Sequence, residues 1–318
     1  MVPKRSLRNA AGWLLAIILI LLGYIKRAKQ KSFQKNIVTA IAFHNPNREL
    51  FKRIITWFKA KGYVFISSEQ LIEILNNEIA CPRGAVWISL DDGWNQNMDN
   101  VIPLAIQHNI PITIFIYTNA IEEGAFWWKK VDQALDLLPN RFHDTSVIRG
   151  QPEDIRRQIL TTIDQAELSF SREAMNIEDI KRISSIPQIT LGAHTATHPI
   201  LPNCTDDQIE YELAESKQKI EKWIGKPVSV FAYPNGSFDG RERQFLVKYG
   251  YKLAATTENA FVKADCDHYL IPRNIIMDDG SFAENLCHAL GIWEPIVVKL
   301  KRVVKKELYP DHAEDRDK

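Results

Sequence analysis

A chain of 318 residues, 45% hydrophobic and 25% charged, can hold one large domain or two small ones, and its composition is that of an ordinary folded protein. The net charge of +1 conceals an asymmetry: residues 1–35 carry eight Lys and Arg and no acid, leaving 32 basic against 39 acidic residues in the body. A body of that sign argues against nucleic acid as a partner. The scattered Cys81, Cys204, Cys266 and Cys287 suggest neither a zinc knuckle nor a disulfide framework.

At the amino terminus, "AAGWLLAIILILLGYI" (residues 10–25) is uncharged and mostly apolar, between two basic clusters. As a helix it would extend roughly 24 Å, slightly short of a ~30 Å hydrocarbon core. No small-x-small cleavage site precedes Lys26, against a removed signal peptide, and the flanking charges disfavour burial. Residues 1–35 are therefore expected to form a membrane-anchor helix and basic linker, making the protein membrane-associated, single-pass or interfacial. Five basic residues follow the run and three precede it, so the positive-inside bias is slight and the side of the membrane stays open.

Next, "NIVTAIAFH" reads as a buried strand ending at His44, and "NRELFKRIITWFKAKGYVF" as a helix with Leu50, Ile54, Trp57 and Phe58 at helical spacing and Gly62 as its stop. "SSEQLIEILNNE" predicts a helix capped by Ser67 or Ser68. "GAVWISLDD" predicts a strand, residues 97–108 a helix and "IPITIFIYT" a third strand. Residues 120–185 read as mostly helical and polar, with Trp127 and Trp128 either a packed pair or part of a substrate groove. Further strands follow at "ITLGAHTATHP", "SVFAYPNG", "GYKLAATT" and "HYLIPRNII". Strands alternating with helices indicate parallel βαβ units, which an open sheet and a closed barrel both satisfy. In either, the carboxyl ends of the strands form the working face.

Residues with chemistry fall at those strand ends: His44, Asp91 with Asp92, His194 with His198, and Asn235. Asp-Asp-Gly alone suits a solvated turn, and adjacent carboxylates at the end of a buried strand are costly without a cation. "HTATH" would bring two imidazoles at i and i+4 to one ion if the segment turned helically. Two His and one carboxylate form a common divalent-metal set with open positions, and a bound cation would explain the carboxylate pair.

"SLDDG" followed by "HTATHP" resembles the polysaccharide deacetylases, metal-dependent carbohydrate esterases that remove acetyl groups from sugars. "AIAFHNP" with "LFKRIITWFKAKGYVFIS", then "FAYPNG" and "LIPR", extend the resemblance over roughly residues 37–280. It implies an α/β fold, the distorted (β/α) barrel of that family, over residues 36–285. It also implies Asp91 as general base, Asp92, His194 and His198 as ligands of one divalent ion, zinc by ligand type, and the Asn235 N–H at the oxyanion. Thr195 holds the family's Ser/Thr position after the first His.

Two departures stand out. The Arg that orients the base two residues before the third-motif Pro is Ala232 here, and the aromatic after that Pro is Asn235. The Leu-x-His motif that supplies the acid leaves three candidates, His44, His268 and His288, of which strand-end geometry favours His44. The expected partner is an acetylated carbohydrate, with a metal-dependent amidase on a small non-sugar substrate or a degenerate non-catalytic carbohydrate-binding membrane protein as alternatives. Residues 286–318 are expected to form a basic amphipathic helix, with Val297, Leu300, Val304 and Leu308 on one face, and a polar tail.

Overall fold

A computed structural model describes residues 4–166 and 168–299. The long apolar runs become strands buried on both faces, as a parallel sheet flanked by helices requires, and short, partly exposed strands join them. They are β1 (Ile37–Phe43), β2 (Val64–Ile66), β3 (Ala85–Leu90), β4 (Ile112–Ile116), β5 (Ile189–Ala193), β6 (Val230–Ala232), β7 (Leu253–Ala255), β8 (Val262–Lys263) and β9 (Asn274–Ile275). The sheet runs β7-β6-β5-β4-β3-β1-β8, with β2 beside β3 and β9 beside β1. Among the described strands, the β1–β8 pairing is antiparallel and the others are parallel.

The helices are α1 (Lys4–Leu21), α2 (Tyr24–Ser32), α3 (Arg48–Ala60), α4 (Ser68–Leu75), α5 (Asn97–Asn100), α6 (Ile102–His108), α7 (Thr118–Glu123), α8 (Trp127–Gln133), α9 (Thr145–Arg149), α10 (Glu153–Asp164), α11 (Ile177–Ser184), α12 (Asp206–Ile224), α13 (Glu242–Lys248) and α14 (Phe282–Ala289). Ser67 rather than Ser68 caps α4, in a capping box with Gln70. The single helix predicted over 97–108 is two, because Pro103 cannot donate to the Asp99 carbonyl, and Arg48 Nη1 donates to it instead. Residues 293–299 are helical; the basic amphipathic face expected beyond them, including Leu300, Val304 and Leu308, lies outside the described residues.

The sheet curls into a distorted barrel, and one late segment joins its two edges. Ile271 bridges Ala255 of β7, while β9 pairs with β1 and the Ile276 N–H donates to the Ala42 carbonyl. Alternate strand residues fill the inside: Val38, Ala40, Trp87, Phe115, Val230, Leu253 and Ile271 form one buried cluster, while Ile41, Phe43, Ile88 and Ile114 pack outward under the helices. Gly192 is needed for this filling, since a Cβ there would lie 2.5 Å from the Phe115 ring. At the other end of the chain α1 and α2 meet at Gly23 with a bend of 70°, and no single described helix is long and apolar enough to cross a membrane.

Candidate metal centre and active site

Asp91 and Asp92 leave the end of β3 in different ways. Asp92 turns into left-handed backbone (φ 76°), followed by Gly93 at φ 89°. Gly suits the second position because the left-handed region carries no Cβ penalty there. The turn is pinned by the Tyr117 N–H on the Asp92 carbonyl and the Met175 N–H on the Gly93 carbonyl. Two further site residues, Thr195 (φ 67°) and His198 (φ 57°), are also left-handed. For a β-branched Thr that conformation is an outlier, and such strain, of order 1–3 kcal/mol per residue, persists only where surrounding contacts over-determine it.

Those contacts are present. The Thr195 hydroxyl donates to the His194 carbonyl at 2.5 Å and accepts the His198 N–H at 3.0 Å. The Glu212 carboxylate, fully buried on α12, accepts the Ala196 and Thr197 N–H groups at 2.9 and 2.8 Å and the Thr197 hydroxyl at 2.7 Å. Arg157 balances its charge, with Nη2 3.2 Å from Glu212, and is itself held by Glu153, which accepts from its Nε at 2.8 Å. The two histidines therefore converge through a clamped loop. The helical turn considered for "HTATH" does not form.

Asp92 Oδ1 lies 3.6 Å from His194 Nε2 and 3.4 Å from His198 Nε2. Donors bound at about 2.0–2.2 Å in a tetrahedral shell sit about 3.4 Å apart, so this spacing fits one divalent ion. Two of the remaining atoms are committed elsewhere: Trp94 Nε1–H donates to Asp92 Oδ2 at 3.0 Å, and His194 Nδ1 pairs with the Ala232 carbonyl at 2.7 Å, fixing the tautomer that leaves Nε2 free to ligate. The buried His198 Nδ1, by contrast, has no hydrogen-bond partner among the described residues. Burial lowers the His194 pKa to about 4, outweighing the nearby carboxylates, so the imidazole is neutral as a ligand must be. Asp92, although burial opposes it, is held well below the usual carboxylate range by its hydrogen bond and proximity to His198.

Asp91 is compensated by the chain itself. Arg273, fully buried, reaches from the closing segment and grips both oxygens, Nη1 to Oδ1 at 2.7 Å and Nη2 to Oδ2 at 2.8 Å. Its Nη1 also donates to the Ser89 hydroxyl and its Nε to the Thr256 carbonyl, and its guanidinium lies 5.3 Å from the Phe115 ring centre. Burial would raise Asp91, but the guanidinium outweighs it and leaves the carboxyl below its ordinary pKa, hence ionised at neutral pH. The role that Ala232 cannot fill thus has a candidate 41 residues later in "LIPR".

His44, Asp91, Asp92, Trp94, Trp128, Arg149, His194, His198, Asn235, Thr257 and Asp278 line one cavity of about 260 Å³. Of the three candidate acids only His44 reaches it; His288 is buried on α14 against Trp293, and His268 lies off the cavity. Asp278, which no obvious sequence signal announces, also lines the cavity and accepts the Asn45 N–H beside His44 at 3.3 Å. Asn235 is left-handed (φ 53°), a conformation Asn tolerates better than an aromatic would. The tryptophans divide: Trp127 is buried with Arg156 over its ring, while Trp128 faces the cavity, its ring 5.0 Å from His198.

Residues 79–254 match the profile of the family described as polysaccharide deacetylase. The chain belongs to that family. Among its relatives, a poly-beta-1,6-N-acetyl-D-glucosamine N-deacetylase of Staphylococcus epidermidis is 21% identical over 72% of this chain and 67% of its own. That of Staphylococcus aureus is 20% identical over 80% and 77%. The fold is shared with the Streptococcus pyogenes deacetylase PplD in complex with acetate (TM-score 0.61, 18% identity, 81% of this chain and 99% of that one). It is also shared with IcaB from Ammonifex degensii (TM-score 0.55, 16% identity, 79% and 97%). Within the polysaccharide deacetylases, the match beginning at residue 79 and ending at 254 leaves His44 and Arg273 outside it.

Proposed function

We propose that the protein hydrolyses the acetamido group of a polysaccharide built from N-acetylglucosamine. The single observation that carries this reading is an ionised, fork-held Asp91 beside a converging Asp92–His194–His198 donor set in one cavity. Zinc suits those donors, and when bound there it would polarise an acyl carbonyl and a water molecule.

Asp91 accepts the proton of the attacking water; its guanidinium partner occupies one lone pair on each oxygen and keeps the carboxylate charged and aimed. The Asn235 N–H faces the developing oxyanion, and His44 donates a proton to the departing amine, which is otherwise a poor leaving group. Trp94 and Trp128 offer apolar faces to a pyranose ring, and Arg149, whose buried Nε lacks a hydrogen-bond partner, offers a donor to its hydroxyls. This polar-and-aromatic wall, together with the polysaccharide deacetylases among its relatives, favours a glycan over a small non-sugar amide. The intact base and ligands weigh against a degenerate binding protein.

The test is acetate release from poly-β-1,6-N-acetylglucosamine by the chelated protein, with and without zinc added back. Acetate that appears with equal numbers of free amines supports the reading. Release from small acetamides with none from the glycan would instead make the protein a general amidase.

A further inference from the structure

α1 has two unlike faces. Gly12, Leu15, Ala16 and Leu19 turn toward the body, and Ala16 and Leu19 are buried in the main core. The contact is close: a Cβ on Gly12 would come within 2.9–3.0 Å of the Glu284 carboxylate. That carboxylate is fully buried at the start of α14, and Arg8 Nη2 pairs with it at 2.9 Å. Asn9 Nδ2 donates to the Asp279 carbonyl at 3.3 Å. The opposite face leaves Trp13 (51% exposed), Leu14, Ile18, Leu21 (80%) and Leu22 bare. Beyond the bend at Gly23, α2 and its exit carry Lys26, Arg27, Lys29, Lys31 and Lys35 with no acid.

We propose that α1 lies in the plane of an anionic bilayer surface, its Trp13–Leu22 face sunk among acyl chains and the α2 cations against lipid phosphates, while its other face stays latched to the catalytic body. A bare apolar stripe continuous with a basic segment is the chemistry of an interfacial helix. A spanning arrangement conflicts with the latch. Turning α1 along the membrane normal would strip Arg8 from Glu284 and leave a buried carboxylate without its cation. The charge-free stretch between Asn9 and Lys26 is also short for a span.

The latch ties the surface to the site. Asp279, which α1 touches, follows Asp278, which lines the cavity, in the loop joining β9 to α14. The cavity wall therefore stands next to the lipid-facing helix. Resting on the deacetylase reading, the protein modifies a glycan at the membrane surface rather than free in bulk.

The experiment uses the full chain with vesicles of phosphatidylcholine with or without phosphatidylglycerol. Nitroxide labels at Leu14 and Leu21, with the partly accessible Cys81 and Cys266 replaced by Ser, report depth from oxygen and nickel-chelate accessibility. Equal depths at the two sites, with co-sedimentation weakened at least tenfold by Leu14→Glu plus Ile18→Glu and unchanged circular dichroism, are the expected result. Depths differing by about 10 Å, the rise of seven helical residues, would overturn the in-plane helix in favour of a span. Absence of binding at low salt, with dimerisation detected by light scattering, would give the face to a second copy. None of these readouts uses hydrolysis, so failure of the deacetylase reading would leave them interpretable.

Discussion

Asp91 and Asp92 are neighbours in sequence and opposites in how their charge is held. Asp91 stays on the sheet side, and its negative charge is answered by a buried guanidinium that the chain supplies permanently. Asp92 is thrown into left-handed backbone, and what faces its other oxygen is the Nε2 atoms of two histidines, at a spacing that suits an ion. Two adjacent buried carboxylates are tolerable because one is neutralised from within and the other accepts from Trp94 and belongs to a donor set that could hold a cation. The difference also separates the chemistry: a carboxylate already in a salt bridge does not compete for the metal, and one that ligates metal is not free to take a proton.

The sharpest way to break this contrast is at the metal corner. His194→Ala should abolish stoichiometric zinc in equilibrium dialysis and reduce turnover by about 1000-fold or more, with the far-ultraviolet spectrum unchanged; full zinc occupancy in that variant would refute the donor set. Asp91→Asn should do the reverse, keeping metal while turnover falls on the order of 100-fold or more. Metal loss in Asp91→Asn would show that the two carboxylates share one role.

Arg273→Lys retains a positive charge but not the two-pronged grip, so turnover should fall about tenfold. The carboxylate loses stabilisation in that variant, its pKa rises, and the acid limb of the pH–rate profile should move to higher pH. An unmoved limb would mean that Arg273 only fills space. Glu212→Gln should loosen the loop between the two histidines and weaken zinc binding about 10- to 100-fold, as supporting partners of metal ligands do, without moving that limb.

The smallest effect is on stability. In the metal-free protein, burial holds His194 and His288 at a pKa of about 4, against an ordinary 6.5. Between those values the unfolded chain takes up protons that the fold refuses, so stability should decline as pH falls from about 6.5 to 4 and be flat above. Urea titrations at pH 7, 5.5 and 4.5 would measure the slope, and His288→Leu should remove part of it.

What the sequence revealed was what is local in it. Strand ends, Asp-Asp-Gly and "HTATH" each announce themselves within a few residues, and the alternation of strands and helices marks the working face. Arg273 was hidden because its partner is 182 residues away, and "LIPR", although part of the family resemblance, marks a late strand without naming a partner for its Arg. Glu212 sits in a run of charges on a helix whose other carboxylates are exposed or half-buried, and helical periodicity alone cannot tell which of them turns inward to meet a loop. The route by which the histidines converge was missed for a similar reason: left-handed Thr and His are disfavoured intrinsically and are imposed by tertiary contacts. The break at Val101, by contrast, had its signal in Pro103.

The seam formed by residues 271–276 also orders events in time. During synthesis the ribosome delivers β1, both carboxylates and both histidines long before Arg273 emerges. Until then Asp91 has no cation of its own, and the edges of β1 and β7 are unjoined. On the mechanism proposed above, a nascent chain at that stage holds the Asp92, His194 and His198 donors but a base that nothing yet aims. Among the described residues, the segment that joins the sheet edges is thus also the one that brings Arg273 to Asp91.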